Sequence, residues 1–158
     1  ILFVTKFIGI YKMKKTVGYT TGVFDMFHIG HLHLLKKAKR HCDYLIVGVS
    51  SDELVSSYKN KTPIIPFEHR LEIVNSLDVV DEVVVQSHRD KIKQFHEIGY
   101  DLMFVGDDWK GTPLFDEVEA ELNQHGAGII YFEYTKSVSS TKFTSILQDI
   151  YDEEKKQG

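Results

Sequence analysis

Disulfide chemistry is closed to this chain. Among its 158 residues there is one cysteine, Cys42, so no intramolecular bridge can form and a reducing cytoplasm is its expected setting. Proline is scarce, with three residues, and no Pro-rich, Gly/Ser-rich or other low-complexity stretch marks an inter-domain linker. Long apolar runs are missing too. The opening ten residues, Ile1 to Ile10, are apolar but broken by Thr5 and Lys6, well short of the roughly 20 residues that span a bilayer. They also lack the charged leader, apolar stretch and cleavage site of a secretory signal, in that order. There is no basic excess: 19 Lys and Arg stand against 23 Asp and Glu, a net charge of −4, which argues against a nucleic-acid partner. A Gly-x-Ser-x-Gly elbow is absent, which counts against a Ser-His-Asp nucleophile site, and no Cys/His spacing of a zinc motif occurs. Internal repeats are lacking as well.

What remains is the composition of one ordinary globular domain, 42% hydrophobic and 27% charged, long enough to bury a substantial core. Met13-Lys14-Lys15 reads as a start, which makes residues 1–12 an N-terminal extension; an added edge strand or an oligomer contact is the other reading. Residues 13–150 form the domain, and 151–158 are a charged tail expected to fray. Apolar, β-branched runs at Thr16–Thr21, Tyr44–Val49, Val79–Val85, Leu102–Val105 and Gly128–Phe132 predict five strands. Between them, helical spacing recurs after Gly30, over Ser51–Tyr58, from Phe67 to Leu77, over Asp90–Ile98 and from Leu114 to Leu122. A last helix carries Phe143, Ile146, Leu147 and Ile150 on one face. Gly99 and Gly126 stand where helices stop. This alternation predicts an α/β fold: a doubly wound, Rossmann-like parallel five-stranded sheet with helices on both faces. In such sheets ligands sit beyond the carboxyl ends of the strands, at the switch in strand order.

Three polar clusters are expected at that end. The first is His28-Ile29-Gly30-His31, where strand period gives way to helix period. A helix N-terminus carries unpaired N–H groups and partial positive charge. Gly30 has no Cβ to keep an anion from the main chain, and both imidazoles can donate hydrogen bonds to phosphate oxygens. The second cluster is the Gly106–Gly111 loop, and the third is Ser137–Thr141. Each has a plainer reading: His28 and His31 as zinc ligands or as a purely structural pair, Asp107 and Asp108 as a solvated loop, Ser139-Ser140-Thr141 as a helix cap; His33 points elsewhere on the helix, as a solvated side chain.

Jointly, His28-Ile29-Gly30-His31, Glu68-His69-Arg70, Gly106-Asp107-Asp108-Trp109 and Val138-Ser139-Ser140-Thr141 resemble the motifs of the cytidylyltransferases of the HxGH nucleotidyltransferase superfamily, nearest its glycerol-3-phosphate branch. The likeness runs from about Thr16 to Phe143. It implies CMP transfer from CTP to a small phosphorylated alcohol, glycerol 3-phosphate favoured, giving CDP-glycerol, a cell-wall teichoic acid precursor. It also implies His28, His31 and Arg70 as catalytic residues. Thr21, Gly22, Val23, Phe24, Gly30, Gly106, Asp107, Ser139, Ser140 and Thr141 become nucleotide-binding positions. Asp25, Lys59, Lys61, Trp109 and Lys136 become substrate- or phosphate-binding ones. Mg²⁺ is expected with the triphosphate, with no dedicated protein cage. Val80-Asp81-Glu82-Val83 resembles a segment near the family's dimer interface, implying a homodimer. The family's last motif, Arg-Thr-x-Gly-Ile-Ser-Thr, is altered: Tyr134 stands in the arginine's place and Ser137 in the glycine's, with Lys136 two residues away as a substitute charge. An adenylyltransferase, a cytidylyltransferase for another phosphorylated acceptor, and a non-catalytic nucleotide sensor are the competing functions.

Overall fold

Five parallel strands carry the site, and their order explains where it lies. The computed structural model describes residues 14–133 and 140–157 and, within the last helix, the side chains of 145–156. Strands β1 (Val17–Gly22), β2 (Tyr44–Ser50), β3 (Glu82–Gln86), β4 (Leu102–Gly106) and β5 (Gly128–Phe132) lie in the order β3-β2-β1-β4-β5. Every pairing is parallel. The chain steps outward from β1 to β3, then returns to start β4 on the other side of β1. The switch in strand order therefore falls between the ends of β1 and β4.

The helices are α1 (Ile29–Lys39), α2 (Asp52–Lys59), α3 (Phe67–Asn75), α4 (Lys91–Ile98), α5 (Pro113–Gln124) and α6 (Ser140–Gln157). Two apolar layers sandwich the sheet. One gathers Leu35 and Ala38 of α1, Val74 of α3 and the strand residues Leu45, Val47, Val49 and Phe104. The other packs Phe115, Val118 and Leu122 of α5 against Tyr19, Ile46 and Met103. The helix stops follow local chemistry: Ser51, Asp90 and Thr112 cap α2, α4 and α5 through their side-chain oxygens, and Gly99 closes α4 at φ 74°.

The doubly wound five-stranded α/β sheet agrees with expectation, and two details differ. Strand β3 begins at Glu82, not Val79. Val79 and Val80 pack against the core ahead of it, and Asp81 is tied to Leu45 by its N–H and by its carboxylate. The chain past Ile150 continues as helix through Gln157 in place of a frayed tail. Ser51 caps α2, accepting the Leu54 N–H, while Ser50 is buried and donates to Gln86 Oε1 at 2.7 Å. The proposed extension, residues 1–12, and the 134–139 segment bearing Tyr134, Lys136, Ser137 and Ser139 lie outside the described residues. Among the described residues, no helix is long and apolar enough to cross a membrane.

Candidate active site

The turn from β1 into α1 is wound tightly. Phe24 and Met26, neither of them glycine, hold φ values of 54° and 49°, a region that L side chains enter only when their surroundings enforce it. Three anchors do so. The Phe24 ring is buried in the core. The Asp25 carboxylate accepts the N–H groups of Ile64 and Ile65, both at 2.9 Å, and of Met26 at 3.1 Å. The Val23 carbonyl accepts from the Arg70 guanidinium.

Out of this turn rises the histidine pair. His28 is the N-cap of α1, and its Nδ1 accepts the Gly30 N–H at 3.0 Å. His31 reciprocates, with its Nδ1 accepting the His28 N–H at 3.3 Å. Because both Nδ1 atoms accept, the proton of each neutral ring sits on Nε2. The rings stack at 3.9 Å between centroids, and Phe24 and Phe27 flank His31. Burial, followed by the charge of His28, pulls the His31 pKa down to about 4; burial lowers that of His28 as well. Both rings are therefore neutral donors at neutral pH. The buried Nε2 of His28 has no hydrogen-bond partner among the described residues, which leaves a donor for an incoming acceptor. This refines the sequence expectation. The amides of His28 and Gly30 are taken by imidazole nitrogens, so the helix end offers phosphate two Nε2–H groups ahead of those two amides.

A basic wall faces the pair. Lys59 ends α2, and Asn60 turns the chain at φ 52°, so that Lys59 and Lys61 both reach the cleft. Burial, followed by the charge of Lys61, lowers the Lys59 pKa. Lys91, the first residue of α4, lies 3.4 Å from both Thr21 Oγ1 and Gln94 Oε1; burial and then Arg89 push its pKa down to about 8. Arg89 stacks on the Tyr58 ring at 4.4 Å, and Lys37 of α1 sits over Phe132 at 4.7 Å.

These groups share one cleft of about 1180 Å³ across the carboxyl ends of the strands, more than the ~300–1,000 Å³ typical of a single small-ligand pocket. Thr21, Gly22, Val23, Phe24 and Asp25 line it, as do His28, Gly30 and His31. Of the other expected residues, Lys59, Lys61, Gly106 and Trp109 line it too, with Trp109 packed on Phe115 at 5.2 Å.

Three expectations are corrected. Arg70 does not face the cleft: it is 1% exposed. Its guanidinium is spent on Ile65 O, Val23 O, Ser50 O and Asp52 Oδ1. Arg70 positions the walls of the site and is no phosphate ligand here. Asp25 lines the cleft, yet its carboxylate is taken by three backbone amides, so it holds the 60s loop and is not a free ligand. Asp107 is exposed on a 3₁₀ turn and lies outside the cleft lining. Ser140 and Thr141 open α6; Ser139 and Lys136 fall outside the described residues.

Sequence reasoning missed Lys37, Arg89 and Lys91. For the last two a signal was present. Arg89-Asp90-Lys91 forms a further strand-to-helix turn, after β3, and the same rule that selected the other turns applies to it.

The sequence model of the cytidylyltransferase-like family matches residues 19–146. The chain is 38% identical over 131 residues to glycerol-3-phosphate cytidylyltransferase of Bacillus spizizenii, covering 82% of this chain and 94% of that protein. It is 33% identical over 142 residues to FAD synthase of Thermococcus onnurineus, covering 88% and 93% respectively. Among solved structures, the lipopolysaccharide core biosynthesis protein from Thermoplasma volcanium superposes with a TM-score of 0.64 at 30% identity, over 77% of this chain and 98% of that one.

Proposed function

The chain belongs to the cytidylyltransferase-like family, and from that premise we propose that it transfers CMP from CTP to a small phosphorylated alcohol, with glycerol 3-phosphate the favoured acceptor. The observation that carries this reading is the stacked His28–His31 pair, its Nε2–H groups presented at the opening of α1 in a cleft walled by Lys59, Lys61, Arg89 and Lys91.

An oxygen of the acceptor phosphate attacks the α-phosphorus of CTP. The new P–O bond joins the two substrates, the α–β bridging bond breaks, and pyrophosphate leaves with its electron pair. The acceptor phosphate is already a nucleophile, so no covalent enzyme intermediate and no general base are needed. What the reaction does need is alignment of two anions and stabilisation of charge around the α-phosphate. Neutral imidazole donors supply hydrogen bonds to the triphosphate without having to lose a proton. The lysines and Arg89 offset repulsion between the substrates, and the cleft has room for both.

Mg²⁺ accompanies the triphosphate in this reading. The Asp25 carboxylate, committed to Ile64, Ile65 and Met26, is not offered to the ion. A hard cation of this kind is held by phosphate oxygens and water.

The relatives named FAD synthase favour one second reading, adenylyl transfer to a flavin phosphate. Pyrophosphate release, measured with CTP and ATP against glycerol 3-phosphate, choline phosphate, ethanolamine phosphate, a sugar phosphate and a flavin phosphate, separates the two. The expected result is the highest kcat/KM for CTP with glycerol 3-phosphate. A higher value for ATP with the flavin phosphate establishes the second reading, and tight nucleotide binding without any pyrophosphate makes the protein a sensor.

A further inference from the structure

Away from the histidine pair, helices α4 and α5 pack side by side on one face of the sheet, ending near the amino ends of β4 and β5. His96 lies in the last turn of α4, and His125 is the C-cap residue of α5. Glu121 precedes His125 by four residues, which puts the two on one helix face. The ligand atoms of His96, Glu121 and His125 all lie within 4.8 Å of one another. Glu121 also borders the cleft, while His96 and His125 lie outside its lining; the proposed reaction gives none of the three a role.

We propose that His96, Glu121 and His125 form a binding site for a divalent transition metal of the Zn²⁺ class, clamping α4 to α5. Two imidazoles and a carboxylate are a borderline donor set that suits Zn²⁺ and its neighbours; Mg²⁺ and Ca²⁺ favour oxygen alone. The ring geometry agrees. Zn–N bonds of about 2.0–2.1 Å in a tetrahedral shell place two imidazole centroids roughly 5 Å apart, and the His96 and His125 centroids are 5.4 Å apart. Glu121 forms no ion pair or hydrogen bond with any described residue, so its carboxylate is available as the third ligand. Both histidines are exposed, and modest side-chain rotation brings the three donors to bonding distance. Both helix ends also carry partial negative charge, which favours a cation there. Three protein ligands leave a fourth position for water. The clamp would hold together the helix that begins with Lys91 and the helix that follows the Gly106–Gly111 loop.

The test uses untagged protein, stripped with a chelator and free of nucleotide, so its outcome is independent of the transferase reading. Zn²⁺ is titrated by calorimetry, and thermal unfolding is followed with Zn²⁺ and with Mg²⁺. One Zn²⁺ per chain is expected, with Tm rising by about 5–10 °C at a hundredfold excess over Kd and Mg²⁺ giving no such rise. His96→Ala and His125→Ala should each weaken binding at least tenfold, and Glu121→Gln should weaken it too. His69→Ala, at another exposed histidine, should bind as the parent does. Circular dichroism confirms that the variants are folded, which the exposure of both histidines leads us to expect. A parent chain that binds no stoichiometric Zn²⁺ overturns the proposal. So does a His96→Ala/His125→Ala double variant that binds Zn²⁺ as tightly as the parent.

Discussion

His31 is neutral because of where it sits. Its ring lies between Phe24 and Phe27, stacked on His28, and burial above all holds its pKa near 4. In the unfolded chain the same group titrates near 6.5, so as pH falls the unfolded state takes the proton first. Stability from this residue is therefore complete above about pH 6.5, declines as pH drops towards 4, and loses nothing further below that. The difference is on the order of 3 kcal/mol. Urea midpoints at pH 7 and pH 4.5 should show the decline in the parent and a shallower one in His31→Asn; equal slopes would remove the assignment. Catalysis draws on the opposite side of the ring. Loss of one transition-state donor generally costs a hundredfold or more, so His31→Ala should lower kcat by about that factor under conditions where circular dichroism shows it folded. A near-normal rate would make the pair structural. Lys91 titrates on the alkaline side. Burial and the charge of Arg89 bring its pKa to about 8, so its charge, which attracts anions, fades as pH rises through that value. Affinity for the anionic substrates should fall between pH 7 and pH 9 in the parent at fixed ionic strength and stay flatter in Lys91→Arg; parallel profiles would exclude the lysine.

At the scale of elements, the site is held by one buried cation and one committed carboxylate. Arg70, on α3, ties together the end of β1 through Val23, the end of β2 through Ser50, the start of α2 through Asp52 and the loop before its own helix through Ile65. Its side chain is fully buried against a partly exposed Asp52. Removing one partner of such a pair strands carbonyls and a carboxylate without their donor, which costs about 3–5 kcal/mol. Arg70→Ala should therefore lower the urea midpoint by a corresponding amount. A loss under about 1 kcal/mol, of the kind exposed pairs give, would mean that the guanidinium is not the tie it looks to be. This residue also marks the limit of reading from sequence. The turn at His28–His31 was legible because a change of hydrophobic period is local, and the helix stop at Gly99 was legible because such a stop is local chemistry. That Arg70 points inward is a tertiary fact, set by four acceptors from separate parts of the chain, and no spacing rule carries it. The same holds for Asp25, whose partners Ile64 and Ile65 lie some forty residues on. Arg89 and Lys91 were within reach, since the rule that located the other turns also locates theirs.

For the whole molecule, the β3 margin of the sheet bears on assembly. Among the described residues strand β3 lies at an edge of the sheet, and edges with open N–H and C=O groups invite pairing unless blunted. Here the blunting is uneven. Asp81 turns its carboxylate inward to Leu45 and Lys39, and Glu82 is engaged by Tyr44. Val85, in contrast, is 55% exposed and Ile73 of the adjoining α3 is 41% exposed, an apolar strip along one margin. A second copy meeting this strip would bury both side chains and bring the β3–α4 turn, with Arg89 and Lys91, close to the contact. We therefore expect a homodimer formed through the β3 edge. Sedimentation at micromolar concentration should give twice the 18.2 kDa chain mass, and Val85→Lys, which sets a charge into the strip, should shift the protein to monomer while circular dichroism stays unchanged. If the parent sediments as a monomer, the exposed strip is only an edge. If Val85→Lys remains a dimer, the contact lies elsewhere on the surface.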